Sequence, residues 1–123
     1  MKKKVLVIDD VEGVRKSIEI GLRSAGYEVT SAGTYAEGFG IATSRTFDII
    51  LCDLKLPDKS DVEIIRNLKE NNIDTPVVAI SGFIDAAMVK NAKEAGAVAY
   101  LPKPFLKGDL IMLLESIIPV EGC

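Results

Sequence analysis

The sequence predicts a single α/β domain, a doubly wound parallel sheet of five strands with five helices. Short and almost wholly apolar runs, typical of strands that are covered on both faces, recur along the chain. Segments with apolar residues at helical spacing separate these runs. The chain has 123 residues, which is enough for one hydrophobic core and too few for two. Alternating strands and helices form parallel sheets, and right-handed crossovers favour the doubly wound arrangement.

The five strands follow from the apolar runs. Four of them are nearly continuous, whereas the second only alternates between apolar and polar residues and is the weakest. The Asp74-Thr75-Pro76 turn marks the start of the fourth. The predicted strands cover residues 4–9, 27–31, 48–52, 77–80 and 97–101.

The first two helices are predicted from periodicity and from capping residues. Apolar residues recur three or four positions apart in the first helix, and Gly26 is its predicted stop. They are Val11, Val14, Ile18 and Leu22. The second helix covers residues 34–44, with Thr34 as its N-cap. Inside it, Gly38 and Gly40 each cost about 1 kcal/mol of helix stability relative to alanine.

The last three helices begin and end at recognisable residues. The third covers about residues 60–70 and opens with a Ser-Asp-Val-Glu capping box. The fourth covers residues 85–95, and Gly96 takes the position after its C-cap. The fifth covers about residues 107–118 and ends at Pro119.

Composition excludes several classes of function. The net charge of −3 gives no basic footprint for direct nucleic-acid binding. No apolar run approaches the ~20 residues of a membrane-spanning helix, so we expect a soluble, cytoplasmic protein. Cys52 lies in a predicted buried strand and Cys123 is the last residue, which makes a disulfide improbable. A chain without histidine or a CxxC pair is a poor candidate for a zinc site.

Charged and hydroxyl side chains stand where the apolar strands end. Asp9 and Asp10 follow the first strand, Asp53 the third, Ser81 the fourth and Lys103 the fifth. The carboxyl ends of parallel strands line the crevice where such sheets bind ligands. Three carboxylates crowded there would repel one another unless they share a cation. The pattern therefore predicts a divalent metal beside an anion held by a lysine and a hydroxyl, which is a phosphoryl-transfer site.

Four motifs follow one another along the chain: Val-Leu-Val-Ile-Asp9-Asp10, Cys-Asp53-Leu-Lys-Leu-Pro57, Ile-Ser81-Gly82 and Tyr100-Leu-Pro-Lys103-Pro104-Phe105. Together they resemble the receiver domain of bacterial two-component response regulators, the single-domain chemotaxis regulator among them. The resemblance implies a flavodoxin-like fold with strand order 2-1-3-4-5. The expected receiver domain covers residues 1–119, and residues 120–123 are a tail or the start of a linker.

The resemblance also implies a role for each acid. Asp53 is the phosphoacceptor, which takes a phosphoryl group from the phosphohistidine of a sensor histidine kinase, from a phosphotransfer protein or from a small phosphodonor. Asp10 and Asp53 bind Mg²⁺ directly, and Asp9 acts mostly through water. The backbone carbonyl of Lys55 is a further metal ligand.

Three more residues receive roles from the resemblance. Lys103 pairs with a phosphoryl oxygen, and the Lys103-Pro104 peptide bond is expected to be cis. Ser81 donates its hydroxyl to the phosphoryl group, and Tyr100 is the aromatic switch that follows it inward. The readout is the face of the fourth helix, fifth strand and fifth helix, which contacts an output domain or partner protein. A homodimer of the phosphorylated form is a further option.

Three positions depart from or vary within the family pattern. Asp61 occupies a place that usually carries glycine, and Lys55 and Phe83 flank the phosphoryl group, where neither can orient a hydrolytic water. We therefore expect a long-lived phosphoaspartate.

Two other functions remain open. A Mg²⁺-dependent aspartyl phosphatase is the first alternative, although it commonly has a second acid at the position of Lys55. A degenerate receiver that serves only as an interaction domain is the second.

Overall fold

The structure is a computed structural model, and it describes residues 2–58, 62–82 and 86–118. Within these residues, five strands and five helices alternate along the chain. The strands are β1 (Lys4–Ile8), β2 (Glu28–Ala32), β3 (Ile49–Asp53), β4 (Val77–Ser81) and β5 (Ala99–Pro102). The helices are α1 (Glu12–Ser24), α2 (Tyr35–Ser44), α3 (Glu63–Glu70), α4 (Ala86–Ala95) and α5 (Lys107–Ile117). No helix in the described ranges combines the length and apolar character that a membrane crossing requires.

The strands form one parallel sheet in the order β2-β1-β3-β4-β5, which confirms the predicted fold. The chain order reverses between β1 and β3, and the two strands pair with Ile8 opposite Cys52. This reversal is the switch point at which open α/β sheets bind ligands. It brings the carboxyl ends of β1 and β3 side by side.

The sheet separates two hydrophobic clusters. Alternate strand residues point to opposite faces, so every residue of β3 and β4 is buried under one layer or the other. One face, represented by Leu6 and Ile50, packs against α2, α3 and α4. The other face, represented by Val7 and Leu51, packs against α1 and α5. The near-continuous apolar runs of the sequence result from this double coverage.

Helix α2 packs against β1 through Gly38. A Cβ atom at Gly38 would lie 2.5 Å from Cδ1 of Ile8, whereas one at Gly40 would meet nothing within 4 Å. The helix-weakening glycine at position 38 is therefore required by packing, and the one at position 40 is not. The predicted N-cap of this helix is confirmed, because Oγ1 of Thr34 accepts a hydrogen bond of 3.1 Å from the Glu37 N–H.

The bounds of several strands and helices differ from the prediction. β2 begins at Glu28 because the N–H of Tyr27 donates to the Leu22 carbonyl of α1. α3 begins at Glu63 with Val62 as its N-cap, so the predicted start at residue 60 is wrong.

The predicted strand at residues 97–101 begins only at Ala99, because the N–H of Ala97 donates to the Ala92 carbonyl and closes α4. Gly96 has φ +120°, which confirms its predicted position after the C-cap. Several predictions fall on residues outside the described ranges. These residues are Ser60, Asp61, Phe83, Asp85, Pro119 and Cys123.

Candidate functional site

Three carboxylates converge at the carboxyl edge of the sheet. Because β1 and β3 are neighbours, Asp9 after β1 lies beside Asp53 at the end of β3. Asp9 and Asp53 are 0% and 5% exposed, while Asp10 is exposed to solvent. Each of the three offers a carboxylate oxygen, and these oxygens all lie within 4.8 Å of one another. The structure thus brings together the three acids that the sequence predicted to form a cluster.

Lys103 supplies a cation to the two buried acids. Its Nζ donates to Oδ2 of Asp9 at 2.7 Å and to Oδ2 of Asp53 at 2.8 Å. Its backbone N–H donates to the carbonyl of Ser81 at 2.8 Å, which fixes the loop after β5 against the end of β4. The Lys103-Pro104 peptide bond is cis, as the family resemblance led us to expect.

Backbone amides orient the second oxygen of each buried carboxylate. Oδ1 of Asp9 accepts from the Val11 N–H at 2.9 Å, and Oδ1 of Asp53 accepts from the Lys55 N–H at 2.9 Å. The backbone of the turn after β1 is stabilised by α1, because Nη1 of Arg15 donates to the Asp9 carbonyl at 2.7 Å. We did not predict a site role for Arg15, since no local sequence signal distinguishes it from other helix-surface arginines.

Burial and charge act in opposite directions on the acid–lysine pair. Burial raises the pKa of Asp53, and the charge of Asp9 adds to this, whereas the Lys103 ammonium and the Lys55 N–H oppose it. Burial alone would lower the pKa of Lys103, but the hydrogen bonds and charges of Asp53 and Asp9 outweigh it and raise that pKa. Lys103 therefore remains an ammonium ion. The predicted repulsion between the carboxylates contributes to the raised pKa of Asp53, but burial is the larger cause.

Cys52, which precedes Asp53, is a buried free cysteine. Burial raises the pKa of its thiol far above the usual range, and the charges of Asp53 and Asp9 act in the same direction. The thiol therefore stays protonated, and it packs in the cluster under α2, α3 and α4. A buried neutral thiol of this kind is inert.

An open cavity of about 560 Å³ gives access to the acids from solvent. Asp10, Asp53, Ser81 and Lys103 line it, and Val11 contributes an apolar edge. Beyond the acids, its lining includes Lys55, Leu56, Pro57 and Gly82. The cavity is therefore polar on the sheet side and rimmed partly by apolar groups.

The donor set fits a hard divalent cation. Carboxylate and carbonyl oxygens are the ligands that Mg²⁺ prefers, and it keeps several waters when it binds. The clustered oxygens of Asp9, Asp10 and Asp53 provide the carboxylates, and the exposed side of Asp10 leaves room for water. The acidic pocket can therefore hold a metal ion.

The two predicted switch residues lie next to this edge. Ser81 is 6% exposed at the end of β4 and pairs in register with Pro102. Tyr100 lies on β5, two residues before Pro102, and is half-buried. Its hydroxyl donates to Sδ of Met88 in α4 at 3.9 Å. Lys55 lies in the loop after β3 with an exposed side chain. Phe83 lies outside the described residues.

The sequence pattern of the response regulator receiver domain family matches residues 5–115 of this chain. The chain belongs to that family. Receiver domains of two-component systems are phosphoacceptor switches that interact with histidine kinases and output partners.

Individual relatives agree with this assignment. The chain is similar to the cell cycle response regulator CtrA of Brucella ovis, with 34% identity over 115 residues that cover 94% of this chain and 50% of the relative. The receiver domain therefore spans about half the length of the curated relatives it matches.

Solved receiver structures share the fold. A CheY-like receiver domain from Methanospirillum hungatei superposes with a TM-score of 0.89 at 28% identity, covering 94% of this chain and 93% of the other. A receiver domain from Clostridium thermocellum gives a TM-score of 0.87 at 31% identity and covers 94% of each chain.

Proposed function

We propose that this receiver domain accepts a phosphoryl group on Asp53 in a Mg²⁺-dependent reaction and thereby switches the face that it presents to a partner. The donor is a sensor histidine kinase or a phosphotransfer protein. One observation carries the proposal: the Lys103 ammonium joins Asp53 and Asp9 beside a cluster of three carboxylates. This arrangement suits a transferring phosphoryl group, which needs charge neutralisation and alignment.

The reaction forms a bond between a carboxylate oxygen of Asp53 and phosphorus as the bond from phosphorus to the donor breaks. The departing imidazole or acid leaves with the electron pair of that bond. Attack by one anion on another is slow unless nearby cations balance the charge, and Lys103 is placed to do so. Asp9, Asp10, Asp53 and the Lys55 carbonyl would hold Mg²⁺, which would supply further neutralisation when bound. The amide contact to Lys55 orients the nucleophile.

The switch follows from the new charge. A phosphoryl group adds about −1.5 to −2 charges at Asp53. Ser81 and Lys103 border the same cavity, so both would move toward that charge, and Tyr100 would follow the change at the end of β4. The output face is α4-β5-α5, and apolar groups on it favour a protein partner. Met112 on α5 is an exposed hydrophobic residue of this face, with 72% of its surface accessible. An output domain, a separate partner or a second phosphorylated copy would bind there.

A Mg²⁺-dependent aspartyl phosphatase is the second candidate for the same acids. Its usual second acid, two residues after the nucleophile, is replaced by Lys55, which cannot donate a proton as a carboxylic acid would. A degenerate receiver is disfavoured because Asp9, Asp10, Asp53 and Lys103 are all present and close together.

A set of parallel incubations separates these candidates. The protein is mixed with acetyl phosphate, with and without Mg²⁺, and the phosphoryl content per chain is measured by intact mass. A parallel sample receives a phosphomonoester, and released phosphate is followed over time. The switch predicts a Mg²⁺-dependent adduct and no sustained phosphomonoester hydrolysis. Continuous hydrolysis would support the phosphatase, and the absence of any adduct would support the degenerate receiver.

A further inference from the structure

We propose that Asp58 is a positioning residue of the metal site, an inference that rests on the function proposed above. Oδ1 of Asp58 accepts from the Tyr35 N–H at 2.8 Å, and its Oδ2 accepts from the Ala36 N–H at 3.0 Å. These are the first two amides of α2, and they are 23 and 22 residues from Asp58 in the chain. The contact therefore joins the loop after β3 to the start of a different helix.

The beginning of α2 also has a cap made by nearby residues. The third amide, of Glu37, donates to Oγ1 of Thr34, and the Glu37 carboxylate accepts from the Gly33 N–H at 2.9 Å. This pair is a variant of the capping box, in which the glutamate accepts from the residue before the N-cap instead of from the N-cap itself. Asp58 fills the two amide positions that the box leaves open, where a carboxylate also complements the helix dipole. Because α2 has this cap of its own, we expect the Asp58 contacts mainly to fix the conformation of the loop after β3.

The loop is fixed near Asp53 as well as at Asp58. The Leu54 N–H donates to the Ile80 carbonyl at 3.0 Å, and the Leu54 side chain is buried. Pro57 then restricts the backbone just before Asp58. Lys55 lies between these two anchors, and its carbonyl is one of the proposed metal ligands. A segment held at both ends gives that carbonyl fewer orientations, which lowers the entropic cost of fixing it on a cation.

Loss of the Asp58 carboxylate should therefore weaken metal binding without removing a ligand. Groups that orient metal ligands typically contribute 10- to 100-fold to affinity. Because Asp58 acts three residues from the Lys55 carbonyl, we expect an effect of about tenfold in Asp58→Ala, at the lower end of that range. Asp58→Asn keeps one acceptor oxygen and should lose less.

The test measures the Mg²⁺ dissociation constant of the whole chain by calorimetric titration, together with urea unfolding of each variant. Thr34→Ala is the matched control for the helix cap, because it removes a different hydrogen bond from the same end of α2. Glu37→Gln is the matched control for charge, because it removes a negative charge from that end. Both controls should keep the wild-type dissociation constant, even where they lower stability.

The outcomes separate the positioning role from a structural one and from the proposed function. An unchanged dissociation constant in Asp58→Ala would overturn the positioning role while leaving the proposed function intact. Equal weakening in Thr34→Ala or Glu37→Gln would also overturn it, because a general loss of helix stability or of charge would then explain the effect. A wild-type chain that does not bind Mg²⁺ would overturn the metal site and the positioning role together.

Discussion

The Nζ atom of Lys103 lies 2.8 Å from Oδ2 of Asp53, and the same ammonium also binds Asp9. The buried acids therefore have a counter-charge within the protein itself, and a bound Mg²⁺ would share those acids with the lysine. The arrangement links three parts of the sheet, because the residues come from the ends of β1, β3 and β5. Stability and phosphoryl transfer should therefore respond together to changes at this lysine.

Replacing Lys103 by methionine should destabilise the metal-free protein by about 3 kcal/mol, the low end for a buried ion pair that loses one partner. Asp9 and Asp53 would remain buried without their cation. Urea unfolding measures the change, and Mg²⁺ should restore part of the lost stability. Lys16→Met is the control, since Lys16 pairs with Glu12 at an exposed surface and should matter little. Equal effects of the two substitutions would contradict the account.

Mg²⁺ should raise the melting temperature of the wild-type chain, because a ligand that binds only the native state stabilises it. Asp10→Asn should lose most of this shift, since the exposed Asp10 belongs to the acid cluster but is not needed for the fold. Its metal-free melting temperature should equal or exceed that of the wild type, because one negative charge is removed. Glu94→Gln, on the exposed surface of α4, should keep the full Mg²⁺ shift. A wild-type melting temperature that does not change with Mg²⁺ would contradict the metal site.

Gly38→Ala and Gly40→Ala should change stability in opposite directions. The added methyl at position 38 would overlap Ile8 and cost about 1–3 kcal/mol by overpacking. At position 40 it would enter open space and improve helix propensity by about 0.5–1 kcal/mol. Urea unfolding of both variants checks the packing of α2 on β1. Stabilisation by both substitutions would mean that this helix does not approach the sheet as closely as described.

Features that depend on neighbouring residues in the chain could be predicted from the sequence. The double coverage of the sheet, the Thr34 cap and the Gly96 position all leave local patterns, and the structure confirms them. The start of β5 could not be located, because Ala97 and Val98 are apolar whether they close a helix or begin a strand. The strand order came from the family resemblance, since periodicity alone does not fix which strands pair.

Contacts between distant residues could not be predicted from local patterns. Lys103 and Asp9 are 94 positions apart, and only the pairing of the strands brings them within hydrogen-bonding distance. The steric need for Gly38 depends on Ile8 in the adjacent layer, so its sequence context shows only a helix-weakening residue. The contact of Asp58 with α2 is hidden for the same reason, because an exposed aspartate after a proline looks like an ordinary turn residue.

The most direct test of the account is to locate the phosphoryl group. The wild-type chain and Asp53→Asn are incubated with acetyl phosphate and Mg²⁺, and the modified residue is identified by peptide mass spectrometry. Asp48→Asn is the control, because Asp48 lies just before β3 and binds the Lys4 N–H away from the cluster. We predict modification of Asp53 in the wild type and in Asp48→Asn, and none in Asp53→Asn or without Mg²⁺. A phosphoryl group on another residue, or equal labelling of Asp53→Asn, would contradict the assignment of Asp53 as the phosphoacceptor.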